Sequence, residues 1–190
     1  MVARRAVKIE LTRDMIMNAA RDLFVEKGYQ HVSMRQIAKK LNYSHGAIYY
    51  HFKNKAELFY ALVEKHFLML DQTIDEIVNQ DTDDEEKLRQ MCLGFIEFGL
   101  THQSHYEIMF LVKEEEVRNF MNEGPMKTYQ KFAKQVSSLS EKQISIQEVW
   151  SLFLSLHGFV THYIRHITTF NEVKGAAEFH VEMVLKWTRN

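Results

Sequence analysis

The sequence predicts an all-α chain of roughly nine helices, a small three-helix head followed by a larger helical bundle. Three observations carry that expectation. A capping residue followed three positions later by Glu or Gln recurs at Ser33/Gln36, Asn54/Glu57, Thr82/Glu85, Ser104/Glu107 and Ser145/Glu148, with Ser140/Gln143 as an alternative to the last. Apolar residues follow at helical spacing, as in Ile16, Ala19, Ala20, Leu23 and Phe24, and again in Met34, Ile37, Ala38 and Leu41. One proline and seven glycines are too few to supply the turns of an all-β chain.

Taken in order, Thr12 to Lys27 reads as one amphipathic helix that Gly28 ends. Ser33 to Leu41 reads as a two-turn helix. Asn42-Tyr43-Ser44 is a tight turn, with Asn42 at the position that needs a left-handed backbone. Ser44 then caps a short helix running to about His51, in which Ile48, and Phe52 just after, pack inward. Its first turn carries Gly46 and Ala47, small enough to let the backbone approach another surface closely. A long connecting helix is expected over residues 55–79, followed by an acidic loop at Asp81-Thr82-Asp83-Asp84. Further helices are expected near 85–101, 105–121, 125–139, 145–168 and 172–188, with Gly124-Pro125 breaking one pattern and starting the next.

Composition narrows the function classes. With 190 residues, 46% hydrophobic and 26% charged, the chain has material for a core and is not of disordered type. A single cysteine excludes a disulfide framework and any Cys-based zinc module. The basic N-terminus lacks the apolar stretch of a signal peptide, and residues 149–160 are too short to cross a bilayer, so a soluble cytoplasmic protein is expected. The net charge of −1 conceals a partition. Residues 1–55 hold eleven Lys/Arg against four Asp/Glu, or +7, and the remainder is −8. A basic head on an acidic body suits a chain whose head alone binds a polyanion.

A short helix, a three-residue turn and a second helix with a polar, aromatic face make the helix-turn-helix plan. Residues 12–62, TRDMIMNAARDLFVEKGYQHVSMRQIAKKLNYSHGAIYYHFKNKAELFYAL, resemble the DNA-binding domain of TetR-family transcriptional regulators. The likeness rests on Ala19/Ala20, Phe24, Gly28-Tyr29, Ser33, Ile37-Ala38, Ala47-Ile48-Tyr49, His51-Phe52 and Lys55. Asn42 stands where the family commonly has Gly, and Met34 where it often has Thr. The resemblance implies a DNA-binding domain over residues 1–55 and an effector-binding and dimerisation domain over 56–190, joined by the fourth helix. It implies that Arg35 reaches a base, a role its guanidinium fork suits. His45, Gly46 and Ala47 would face base edges, while Tyr49, Tyr50, His51 and Lys55 would hold the phosphate backbone. Ser33 and Ser44, the caps of the two helices, complete the expected DNA-binding set. Arg4, Arg5 and Lys8 form a candidate arm onto phosphates or the minor groove, whereas Lys39 and Lys40 read as a solvated face.

For the body, the resemblance implies an effector pocket and a homodimer made through the last two helices. The segments THQSHYEIMF and VWSLFLSLHGFV resemble the family's C-terminal type with a Trp and a His-Gly pair. Candidate pocket residues are Met91, Phe95, Phe98, Tyr106 and Met109, with Phe110, Phe132, Phe153, His157 and Tyr163. Gly158 beside His157 serves either close helix packing, the favoured alternative, or open space beside the imidazole. His162/His166 and His102/His105 are metal candidates by spacing alone, without the third and fourth ligands a zinc site needs, so no metal or other cofactor is expected. Cys92 reads as a buried, inert thiol. The function implied is a homodimeric repressor on a palindromic operator, released by a small molecule. Two alternatives remain open: a regulator with no effector, and a helical-bundle metal protein or enzyme, although no Glu-x-x-His pair, phosphate loop or nucleophile elbow is present.

Overall fold

A computed structural model describes residues 10–112 and 124–186. The candidate arm at Arg4, Arg5 and Lys8, and residues 113–121 of the helix expected over 105–121, lie outside them. Among the described residues every regular element is helical: α1 Arg13–Lys27, α2 Met34–Leu41, α3 His45–His51, α4 Lys55–Val78, α5 Asp84–Thr101, α6 Gln103–Tyr106, α7 Gly124–Leu139, α8 Ile146–Tyr163 and α9 Lys174–Leu185. The chain divides into two compact units, Met1–Leu62 and Val63–Asn190. The division falls inside α4 rather than at Lys55, because Leu58, Phe59 and Leu62 are buried and Phe59 belongs to the head's ring cluster.

The head follows its local signals closely. Thr12 Oγ1 accepts from the Met15 amide at 3.2 Å and opens α1. Ser33 and Gln36 form a reciprocal box, the Ser33 amide donating to Gln36 Oε1 at 2.6 Å and the Gln36 amide to Ser33 Oγ at 3.3 Å. Gly28 at φ 80° and Asn42 at φ 58°, ψ 36° end α1 and α2 in conformations that other side chains resist. Ser44 Oγ accepts from the Ala47 amide at 3.2 Å and opens α3. Ile16, Ala20, Ile37 and Ile48 are fully buried beneath these turns. Phe24, Tyr29 and Phe59 close the core as a triangle of rings with centroids 5.1–5.4 Å apart.

The body departs from local expectation at several points. Asp83, not Thr82, caps α5, accepting from the Glu86 amide at 2.7 Å; a carboxylate is the stronger acceptor at a helix N-terminus. No Ser104/Glu107 box forms. The helix instead opens at Gln103, and Glu107 is buried in a bidentate pair with the Arg165 guanidinium. The chain then runs through a π-helical turn, Glu107–Leu111. Of the two starts possible near 140–145, Ser145 with Glu148 opens α8, while Ser140 donates to the Val136 carbonyl at 2.6 Å and closes α7. Helix α8 stops at Tyr163 rather than 168. Arg165 turns the chain at φ 66°, its amide donating to Gln103 Oε1 at 2.8 Å. A Cβ at Gly99 would lie 2.6 Å from Val160 Cγ1 and 2.9 Å from the Tyr106 ring, so glycine is what lets α5, α6 and α8 close on one another.

Candidate nucleic-acid interface and internal cavity

On the head, the outer face of α3 and the start of α2 are exposed. Ser33, Arg35, Ser44, His45, Gly46, Tyr49 and Tyr50 are exposed, and Ala47, His51 and Lys55 are half-buried. His45 and Tyr49 meet edge to face at 4.6 Å, which fixes the phenol beside the first turn of α3. Tyr50 is 88% exposed, a large ring whose neighbour is the edge of His51 at 5.3 Å. Nothing lies within 4 Å of a Cβ built at Gly46. The fold itself therefore does not require a glycine there, although one weakens so short a helix.

Several cations are committed internally. Lys55 Nζ donates to the Tyr29 carbonyl at 2.9 Å and sits 3.9 Å from the centroid of the Tyr29 ring. It therefore fastens the start of α4 to the end of α1 with one of its three donors. Arg13, which the sequence did not single out, donates to the His51 carbonyl at 2.5 Å and lies 3.9 Å over the Phe52 ring. It thereby satisfies the C-terminal end of α3 and fixes that helix against α1. The available signal was a cation at the first position of α1, which sequence spacing cannot connect to a residue 38 positions away. Lys40 is likewise engaged, pairing with Asp22 at 2.9 Å.

The body holds a cavity of about 340 Å³. Of the ten pocket candidates, Phe95, Met109, Phe110, Phe132 and Phe153 line it. Met91 is buried elsewhere, and Phe98 borders a separate, more open groove between α4 and α5. Tyr106 and His157 stand behind the lining rings, the Tyr106 hydroxyl bonded to His157 Nδ1 at 2.5 Å. Burial pushes the Tyr106 phenol far above its ordinary pKa and the His157 imidazole below its own. Tyr163 packs on Phe159 instead, at 4.8 Å. Six further lining residues escaped sequence reasoning: Phe67, Leu70 and Ile74 on α4, Thr128 and Tyr129 on α7, and Trp150 on α8. The spacing of the first three was visible, but α4 was read as a connector rather than as a wall.

The histidines do not gather as ligands. His66 and His105 stack at 4.0 Å with planes 16° apart, and His105 and His102 at 5.3 Å and 9°. Parallel rings present faces, not converging nitrogens. Among the described residues no group of three or more His, Cys, Asp or Glu is arranged for a metal. His162 lies edge-on to Tyr163 at 4.8 Å. Cys92 is fully buried, and burial pushes its thiol up to about 12. No described helix is long and apolar enough to cross a membrane.

Residues 16–62 match the profile of bacterial regulatory proteins of the tetR family. The Tn10 TetC protein of Escherichia coli is 46% identical over 63 residues, covering 33% of this chain and 32% of that protein. The transcriptional activator FasR of Mycolicibacterium smegmatis is 30% identical over 99 residues, 52% of this chain and 45% of that protein. The chain thus aligns with less than half the length of each. Solved structures share the whole fold. The fatty acid degradation regulator FadR of Bacillus halodurans superposes with a TM-score of 0.78 at 20% identity, covering 97% of each chain. NalD, the secondary repressor of a multidrug efflux pump in Pseudomonas aeruginosa, gives 0.68 at 23% identity, covering 93% of this chain and 92% of that one. The head thus carries the sequence profile of the tetR family over residues 16–62, and the described helices share the fold of these solved regulators.

Proposed function

We propose that the protein is a homodimeric transcriptional repressor that binds a palindromic operator and is released from it by a small-molecule effector. The observation that carries this reading is the outer face of α3. There, His45, Gly46, Tyr49 and Tyr50 are exposed on a segment of charge +7, and packing does not require a glycine at position 46. Arg35 and the small residues at Gly46 and Ala47 suit base edges. Ser33, Ser44, Tyr49, Tyr50 and His51 suit phosphates, as do the two ammonium donors Lys55 retains. One such short helix makes few base contacts, and two on a two-fold axis double them.

The last two helices support the dimer. Ile146, Trp150 and Leu154 recur every four residues along α8 and are exposed, as are Phe179 and Met183 on α9. Gly158 continues the α8 stripe, and a Cβ built there meets no described atom within 4 Å outside its own helix backbone, so close packing there is not made among the described residues. A second copy is the occupant that fits this face. Release follows by population shift, effector and operator each favouring a different state of the dimer. A coupling of about 1–3 kcal/mol weakens operator binding roughly 5–150-fold.

Selection of binding sites from genomic fragments, followed by gel shift, tests the reading. A palindromic site bound by two chains supports it. A half-site bound by one chain at equal affinity overturns the dimer, and retention of binding by both Arg35→Ala and Tyr49→Ala overturns the interface.

A further inference from the structure

The body cavity is defined as much by what it lacks as by what lines it. Among the described residues no Asp, Glu, Lys, Arg or His side chain borders it, and seven of the eleven described lining residues are aromatic. Phe153 is the hub, its centroid 5.7 Å from Phe95, 5.7 Å from Tyr129, 6.2 Å from Phe132 and 5.4 Å from Trp150. The four ring planes meet that of Phe153 at 67°, 85°, 71° and 21°, so the wall presents both faces and edges. A planar ring answers such a wall by offset stacking and edge-to-face contact, which an alkyl chain cannot make. A charged group entering the cavity loses part of its water and meets no counter-charge among the described lining residues.

Among the described lining residues, side-chain hydrogen bonding comes from the Thr128 hydroxyl, the Tyr129 phenol and the Trp150 indole. Thr128 is buried at 5% exposure and Trp150 is 46% exposed, which separates an inner polar point from an outer one. His157 is not among the described lining residues, and its Nδ1 is held by the Tyr106 hydroxyl at 2.5 Å.

We infer that the cavity takes an uncharged, ring-bearing organic molecule, packed against Phe153 with a hydroxyl or carbonyl group directed to Thr128. This rests on the cavity being the effector site. It goes further by assigning a chemical class and by excluding acids, ammonium compounds and simple acyl chains as the ligand within it.

The full-length protein tests this with two probes of one ring skeleton, uncharged N-phenyl-1-naphthylamine and its sulfonated counterpart 8-anilino-1-naphthalenesulfonate. The uncharged probe is expected to bind about ten-fold or more tightly than the sulfonate. Dodecanoate at equal concentration should not displace it. Phe153→Leu, which keeps apolar bulk but removes the ring, should weaken the uncharged probe about ten-fold while circular dichroism remains unchanged. Should that variant fail to fold, Phe132→Leu gives the same measurement. Thr128→Lys should reverse the order of the two probes. No binding of the uncharged probe, equal or tighter binding of the sulfonate, or displacement by dodecanoate overturns the assignment. Gel shift separates the two levels. Binding of the uncharged probe without operator release sinks the effector reading and leaves the ligand class standing. Release by dodecanoate alone does the reverse.

Discussion

The head and the body are both helical, yet they are built on different terms. In the head, Thr12, Ser33 and Ser44 each cap the helix they precede, and the ring triangle of Phe24, Tyr29 and Phe59 fills the centre. In the body, a cap shifts by one residue, a helix gives way to a π turn, Arg165 adopts a left-handed backbone, and about 340 Å³ is left unfilled. Protein interiors are normally close-packed, so a recess of that size, open at the 46%-exposed Trp150, leaves apolar side chains without packing partners. A reading surface gains from rigidity, since its side chains must be held at fixed spacing. A cavity that responds to a ligand gains from space and from segments able to resettle. The contrast is one of packing within each unit, and it can be tested from either side.

The largest effect is expected in the head core. Phe24→Ala removes one corner of the ring triangle and should cost about 3–5 kcal/mol, abolishing operator binding. Hydrogen exchange resolved by segment should show lost protection over 13–62 while α5 and α8 keep theirs. Equal loss in both units would erase the distinction drawn above. Next, Arg35→Ala should weaken operator binding by about 1–3 kcal/mol with an unchanged melting temperature, since its side chain is exposed. Unchanged affinity would remove Arg35 from the interface.

A smaller, pH-dependent effect belongs to the body. Burial holds the His157 imidazole below its ordinary value of 6.5, so the unfolded chain binds the proton more readily than the folded one. The stability this contributes is complete above the unfolded value and is lost as pH falls through the folded one. His157→Gln, which can still accept from Tyr106 but does not titrate, should lose less melting temperature than wild type between about pH 8 and about pH 5. Parallel curves would show that His157 is not protected from protonation.

The smallest effect separates stability from function most cleanly. Gly46→Ala should stabilise the head by about 0.5–1 kcal/mol, since helix propensity rises and no atom lies within 4 Å of the new methyl. Operator affinity should nevertheless fall. A variant both more stable and equally tight on DNA would mean that the small residue serves no close approach.

The head was legible because its determinants are local. Caps, the Asn42 turn and the buried positions of Ile48 and Phe52 all lie within a few residues of what they fix. Its two missed contacts, Arg13 to His51 and Lys55 to Tyr29, span 38 and 26 residues. Lys55 is an internal tie to Tyr29. In the body, Phe95, Phe110 and Phe153 could be nominated as aromatics at helical spacing, but Phe67, Leu70 and Ile74 were overlooked on a helix assigned to connection. Glu107 shows the same limit: a residue suited to a capping box is instead drawn to Arg165, 58 positions on.

The sequence by itself determined the all-helical class, the turn between α2 and α3, and the opposition of +7 against −8 that a net charge of −1 conceals. These depend on propensity, capping and counted charge, which need no knowledge of neighbours in space. Only the tertiary structure decided which aromatic rings face a common void and which cations are already spent on carbonyls of their own fold. It also decided where α8 stops. Those outcomes depend on which distant side chains meet, and a buried carboxylate or an unfilled volume exists only once the helices have packed around it.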